Sequence, residues 1–92
     1  MIKNFQDKKT EKFFGGKTVK QFSAFKSAAE RKLGMLDSAS ELRDLLASPA
    51  NRLEKLKGDQ AGQHSIRIND QWRICFVWKE DGPYEVEITD YH

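Results

Sequence analysis

Asp90, Tyr91 and His92 place a carboxylate, a phenol and an imidazole on three consecutive residues at the end of the chain. An imidazole has a reference pKa of about 6.5, so it can serve as acid or base near neutrality, and the free α-carboxylate expected on His92 favours its protonated form. Two arginines, Arg67 and Arg73, flank an Asn69-Asp70 turn sequence. If that turn joins two strands, the two-residue alternation points both guanidiniums to one side of a sheet. A planar guanidinium donates two hydrogen bonds to a phosphate and keeps its charge at any physiological pH, so the pair can share one phosphate. The plainer alternative is a surface arginine paired with Glu87. Lys57, ending an adjacent strand-like run, and His92, ending the last one, enlarge the positive cluster.

A cluster of this kind suits cleavage of RNA by its own 2′-hydroxyl. The reaction needs a base for that hydroxyl, an acid for the leaving 5′-oxygen and positive charge for the phosphorane-like state between them. Glu54, His64, Asp90 and His92 are the candidate proton carriers. His64 falls in phase with Ile66 and Ile68, which makes it a structural histidine first and a catalyst only in reserve. Tyr91 can stack on a nucleobase, position a phosphate or cap the core. Other chemistries find less footing. One cysteine, Cys75, and two histidines give no zinc spacing, and Glu80-Asp81 sit beside a Gly82-Pro83 turn rather than in a divalent-ion loop. Gly15-Gly16 is not followed by the Gly-Lys-Ser/Thr of a nucleotide loop. No metal or cofactor is predicted.

The elements that must position these side chains divide at Pro49. Before it, Lys3–Phe5 can begin a short strand, and Asp7–Phe14 reads as a helix closed by Gly15-Gly16. From Phe22, the apolar residues Phe25, Ala29, Leu33 and Leu36 line one helical face, with Lys26, Glu30, Arg31 and Asp37 elsewhere. Phe13, Phe14, Phe22 and Phe25 read as core. Ser38 or Ser40 can cap a further helical turn through Leu42 and Leu45, and Pro49 ends the helical potential. After Pro49 the period becomes two. Leu53–Lys57, His64–Ile68, Trp72–Trp78 and Tyr84–Asp90 read as strands, separated by Gly58-Asp59, Asn69-Asp70 and Asp81-Gly82-Pro83. Ile66, Ile68, Ile74, Phe76, Val86 and Ile88 then face the helices, and Ser65, Arg67, Arg73, Cys75, Glu87 and Thr89 the other side. Neither Arg73 nor His92 is expected to fill the core, so replacing them should cost little stability.

With 92 residues the chain reads as one domain, 1–92, with a single core and an α+β fold: a small, antiparallel-rich twisted sheet with N-terminal helices packed on one face. Hydrophobic content of 38% against 33% charged fits a soluble chain, and no run of about 18 apolar residues exists to cross a membrane. The N-terminus lacks a signal-peptide core and Cys75 has no partner, so a cytoplasmic location is expected. The net charge of +2 conceals an asymmetry. Residues 1–32 hold nine Lys or Arg against three acids, or +6, and the remainder seven against eleven, or −4. A basic half can attract phosphate backbones, although a lysine-rich helix is more often a solvated face.

Over nearly its whole length the chain resembles the HigB branch of the RelE/ParE toxin superfamily, the plasmid maintenance killer proteins, and particularly the GraT-type HigB toxins. The resemblance rests on Ala29-Glu30-Arg31-Lys32-Leu33, on Asn51-Arg52-Leu53-Glu54 with Leu56-Lys57-Gly58-Asp59, on the run from Gly62 to Ile74, and on Glu87-Ile88-Thr89-Asp90-Tyr91-His92. It implies a RelE-like sheet with helices on one side and a ribosome-dependent endoribonuclease that cuts messenger RNA in the decoding site. It also implies a HigA-like helix-turn-helix antitoxin that blocks the toxin and represses the shared operon, with operator DNA reached only through that complex. The family's reacting positions match Lys57, Arg67, Arg73, Asp90, Tyr91 and His92. Glu54 departs from relatives that carry histidine there, which leaves the general base open. Two other readings compete: a toxin that binds a protein target such as DNA gyrase, as ParE relatives do, and an inactive chain kept as a regulatory partner of its antitoxin.

Overall fold

Helices fill the first half of the chain and strands the second, and the computed structural model describes residues 1–56 and 62–90. Helix α1, Lys8–Phe14, opens where the Asp7 side chain accepts a hydrogen bond from the Thr10 amide, and buries Thr10 and Phe13. It closes at the glycine pair, and Gly16 takes the left-handed backbone (φ 97°) that its missing Cβ permits. Helix α2 runs over Lys26–Ser38 and buries Ala29, Leu33 and Leu36, the face expected from their spacing. Lys32 is buried with them. The expected start at Phe22 is instead a 3₁₀ segment, Lys20–Phe25, whose Phe22 packs edge-on against Phe13. Phe14 is exposed rather than core and leans on Phe5 at 5.6 Å.

The stretch between helix and sheet departs most from expectation. The 3₁₀ segment Leu42–Ala47 starts from Glu41, where Asp44 Oδ2 accepts from the Ser40 and Glu41 amides and the Asp44 amide donates to the Glu41 carbonyl, and neither Ser38 nor Ser40 caps it through its side chain. Pro49 opens a further 3₁₀ turn, Pro49–Asn51, because its fixed φ suits a first helical position as well as it breaks a later one. Arg52 follows in the left-handed region (φ 44°, ψ 56°). Of the expected strand Leu53–Lys57, the described residues form β1, Glu54–Lys55, and Lys57 lies outside them.

Strands β1, β2 (Gln63–Arg67), β3 (Trp72–Lys79) and β4 (Gly82–Asp90) form one antiparallel sheet in chain order, an α+β architecture. The Lys3–Phe5 segment adds a single parallel bridge, Phe5 to Val86, along β4. Opposite it a bulge interrupts the β3–β4 register, with Glu85 at φ 52° and its amide bonded to Asn4 Oδ1. Gly82 (φ 135°) turns the β3–β4 hairpin where a Cβ would lie 2.9 Å from the Met1 carbonyl oxygen. Ile66, Ile68, Ile74, Phe76, Val86 and Ile88 all pack on Phe13, Phe22, Ala29, Leu33, Leu36 and Leu45, as the alternation predicts. Burial of each larger side chain stabilises the fold by roughly 1.5–3 kcal/mol.

Candidate functional site

The face of the sheet away from the helices is polar yet far from open. Ser65, Arg73 and Cys75 are buried there, while Arg67, Glu87 and Thr89 are half-buried. Arg73 is only 7% exposed, which corrects the expectation of a side chain removable at little structural cost. Its Nε donates to Ser65 Oγ at 2.8 Å, and one Nη donates to the Arg52 carbonyl at 2.6 Å and to the Ser65 carbonyl at 3.3 Å. Glu54 Oε2 lies 4.0 Å from the same nitrogen. Arg73 is therefore a fixed guanidinium, held by main-chain and hydroxyl oxygens as much as by opposite charge.

Arg67 stands directly across from Arg73 in the β2–β3 register. Two like charges at such positions repel. The structure manages this by giving them different partners: Arg67 bonds the Asn69 carbonyl at 3.1 Å and the Asp70 carboxylate, not Glu87. Asn69 Oδ1 in turn accepts from the Gln71 and Trp72 amides, which fixes the turn between the strands. Arg52, Glu54, Arg67, Asn69, Asp70 and Arg73 line one open pocket of about 290 Å³. Three guanidiniums against two carboxylates leave it positive and fit for an anion the size of a phosphate.

The structure thus brings Glu54, Arg67 and Arg73 together. Asp90 lies at the end of β4 beside Trp72 of β3, and accepts a hydrogen bond from Gln71 Nε2 at 3.0 Å. His64 is set apart from the pocket: half-buried, it stacks on Phe76 at 6.1 Å and pairs in register with Lys55. Burial first, and the nearby Lys55 charge second, push its pKa below the ordinary histidine value, so the neutral ring is favoured. Lys57, Tyr91 and His92 lie outside the described residues. Cys75 is buried across from Glu87, and burial chiefly, then the Glu87 charge, raises its thiol pKa to about 11. Among the described residues, no group of three His, Cys, Asp or Glu could hold a metal ion, and no helix is long and apolar enough to cross a membrane.

Sequence reasoning left Arg52, Asn69 and Asp70 out of the site. Asn69-Asp70 was legible as a turn, but its reach back to Arg67 depends on the side of the hairpin to which the turn folds. Arg52 carries no signal of its own, because its placement follows from a left-handed residue that is not glycine.

The fold sits within a known class. The HigB-like toxin family, RelE-like toxins of the type II toxin-antitoxin system HigB, matches residues 3–92, and the chain belongs to it. Among curated relatives, Toxin HigB-1 of Vibrio cholerae serotype O1 is 39% identical over 80 residues, covering 85% of this chain and 84% of that one. Endoribonuclease HigB of Proteus vulgaris is 34% identical over 61 residues, 66% of this chain and 65% of the relative. An uncharacterized protein of Haemophilus influenzae is 35% identical over 51 residues, 55% and 50% of the two chains. The chain is a HigB-type toxin, and membership of a type II system implies an antitoxin partner.

Proposed function

We propose that this toxin is a ribosome-dependent endoribonuclease that cuts messenger RNA through the RNA 2′-hydroxyl, without a cofactor. The observation that carries the reading is the facing pair Arg67 and Arg73 in a pocket shared with Glu54. The name of the Proteus vulgaris relative supports it. In this reading Arg73, with Arg67 and Lys57, binds the scissile phosphate and stabilises the charge that builds on it. His92 gives a proton to the leaving 5′-oxygen, Asp90 orients its neighbours, and Tyr91 positions the RNA. Glu54 or another group takes the 2′-hydroxyl proton. The pocket is open to solvent, and in this reading the ribosome aligns the RNA against it. The partner is a HigA-like helix-turn-helix antitoxin, and the place of action is the cytoplasm, where ribosomes and message meet.

Mapping of RNA 5′ ends after brief induction tests this, with wild type and His92→Ala side by side. Codon-associated breaks in translated messages, lost in the variant, are expected. Growth arrest with DNA-damage signals and no new 5′ ends would overturn the reading in favour of a gyrase-type target, and induction without arrest would mark an inactive regulatory partner.

A further inference from the structure

Lys32 is the one lysine among the described residues with a buried side chain, 4% exposed, and the reaction proposed above makes no use of it. Its ammonium donates to Asn51 Oδ1, a neutral amide, and Asn51 Nδ2 passes the connection to the Leu45 carbonyl at 3.0 Å. Burial first, then the Arg31 and Arg67 charges, lower its pKa, so the surroundings oppose the charge rather than welcome it. An unbranched apolar side chain would fill the same space without that penalty. Stability of the core therefore does not account for a lysine at this position.

The residue it holds does account for it. Asn51 is 1% exposed and closes the Pro49–Asn51 turn, with its amide bonded to the Ser48 carbonyl at 3.0 Å. Arg52 comes next, in a left-handed backbone that L residues rarely adopt and that persists only when its neighbours enforce it. That conformation presents the Arg52 carbonyl to Arg73 at 2.6 Å. A continuous path runs from the Lys32 ammonium through the Asn51 side chain and the Arg52 main chain to the guanidinium of the pocket.

We infer that Lys32 is a positioning residue for Arg73, acting from helix α2 through Asn51 and the Arg52 carbonyl to fix the guanidinium in the pocket. The positional part stands on the geometry alone; its effect on cleavage rests on the ribonuclease reading. The test uses the whole chain and follows the Arg73 Nε–Hε resonance by NMR, assigned by its loss in Arg73→Lys. In wild type the proton is bonded to Ser65 Oγ, and slow exchange is expected. In Lys32→Met the resonance is expected to shift and to exchange about tenfold or more faster, because the carbonyl that steadies the other end of the guanidinium is released. Lys32→Arg, which keeps a cationic donor, is expected to restore most of the wild-type behaviour. If Lys32→Met does not fold, Lys32→Gln replaces it under the same criterion. A folded variant with an unchanged Arg73 resonance overturns the inference.

A second arm measures cleavage on programmed ribosomes. Lys32→Met should lower kcat about tenfold to a hundredfold in the wild-type background, and add almost nothing to Arg73→Lys. Equal losses in both backgrounds would mark a general structural role and overturn the inference. A wild-type protein that cuts no RNA would instead overturn the ribonuclease reading, with the NMR result still deciding the position of Arg73.

Discussion

The two faces of the sheet are built from the same three long strands, yet they are closed by different physics. On the helical side Ile66, Ile74, Phe76, Val86 and Ile88 meet α1, α2 and their 3₁₀ neighbours in an apolar core, where contact is close and non-directional. On the other side Ser65, Arg73 and Cys75 are also buried, but Arg73 is closed in by the turn that brings Arg52 over it, through directed hydrogen bonds. A deleted methylene on the first face leaves a cavity. A deleted donor on the second leaves oxygens unpaired and a pocket without its fixed charge. Burial on the two faces should therefore be separable by experiment, with losses on one read as stability and losses on the other as activity per folded molecule.

The largest expected effect lies on the apolar face. Phe76→Ala should destabilise by about 3–5 kcal/mol, read from urea unfolding, with cleavage per folded molecule nearly unchanged. A loss of activity beyond the folded fraction would break the separation. Next comes Arg73→Lys, which keeps a charge but loses the fork; ribosomal cleavage should fall about 10²–10³-fold. The unpaired Ser65 and Arg52 oxygens should also cost about 1–3 kcal/mol, so both readouts belong in the same experiment.

His64 sits at the border of the apolar face and gives a smaller, pH-dependent effect. Its folded pKa is lowered, so below about pH 6.5 the unfolded chain takes up a proton that the folded chain resists, and stability declines as the pH falls through that range. His64→Gln should flatten the profile between pH 7.5 and 5.5. The smallest effect concerns Cys75, whose raised pKa and burial should make the folded protein slow to react with iodoacetamide at pH 8 and fast only in denaturant. Rapid alkylation of the native chain would show that the polar face opens readily.

Much of this was legible in the sequence, and the reasons are specific. Alternation from His64 to Asp90 assigned every core residue of the sheet, because one buried face imposes period two on the strands that carry it. Arg67 and Arg73 were placed on one face by the same rule. The rule says which side a residue faces and nothing of what covers that side, so the burial of Arg73 and the anchoring role of Arg52 were out of reach. The segment from Ser38 to Leu53 was read least well. Its first 3₁₀ segment starts from Glu41 and not from a serine, and Pro49 starts a turn where it was expected to end helical structure. Short segments of this kind take their conformation from tertiary contacts such as Lys32 to Asn51, which no local pattern encodes.

The parallel bridge between Phe5 and Val86 bears on how the chain is made. The Gln6 amide bonds the Val86 carbonyl, the Glu85 amide bonds Asn4 Oδ1, and the Ile88 amide bonds Thr10 Oγ1, joining segments some 80 positions apart. Contacts of such long range form late, after shorter loops have closed. During synthesis α1 and α2 emerge with no sheet to pack against, and α1 gains its seat only when β4 has left the exit tunnel. The first helix is therefore seated by the last of the described strands, so that docking of α1 closes the fold rather than starting it.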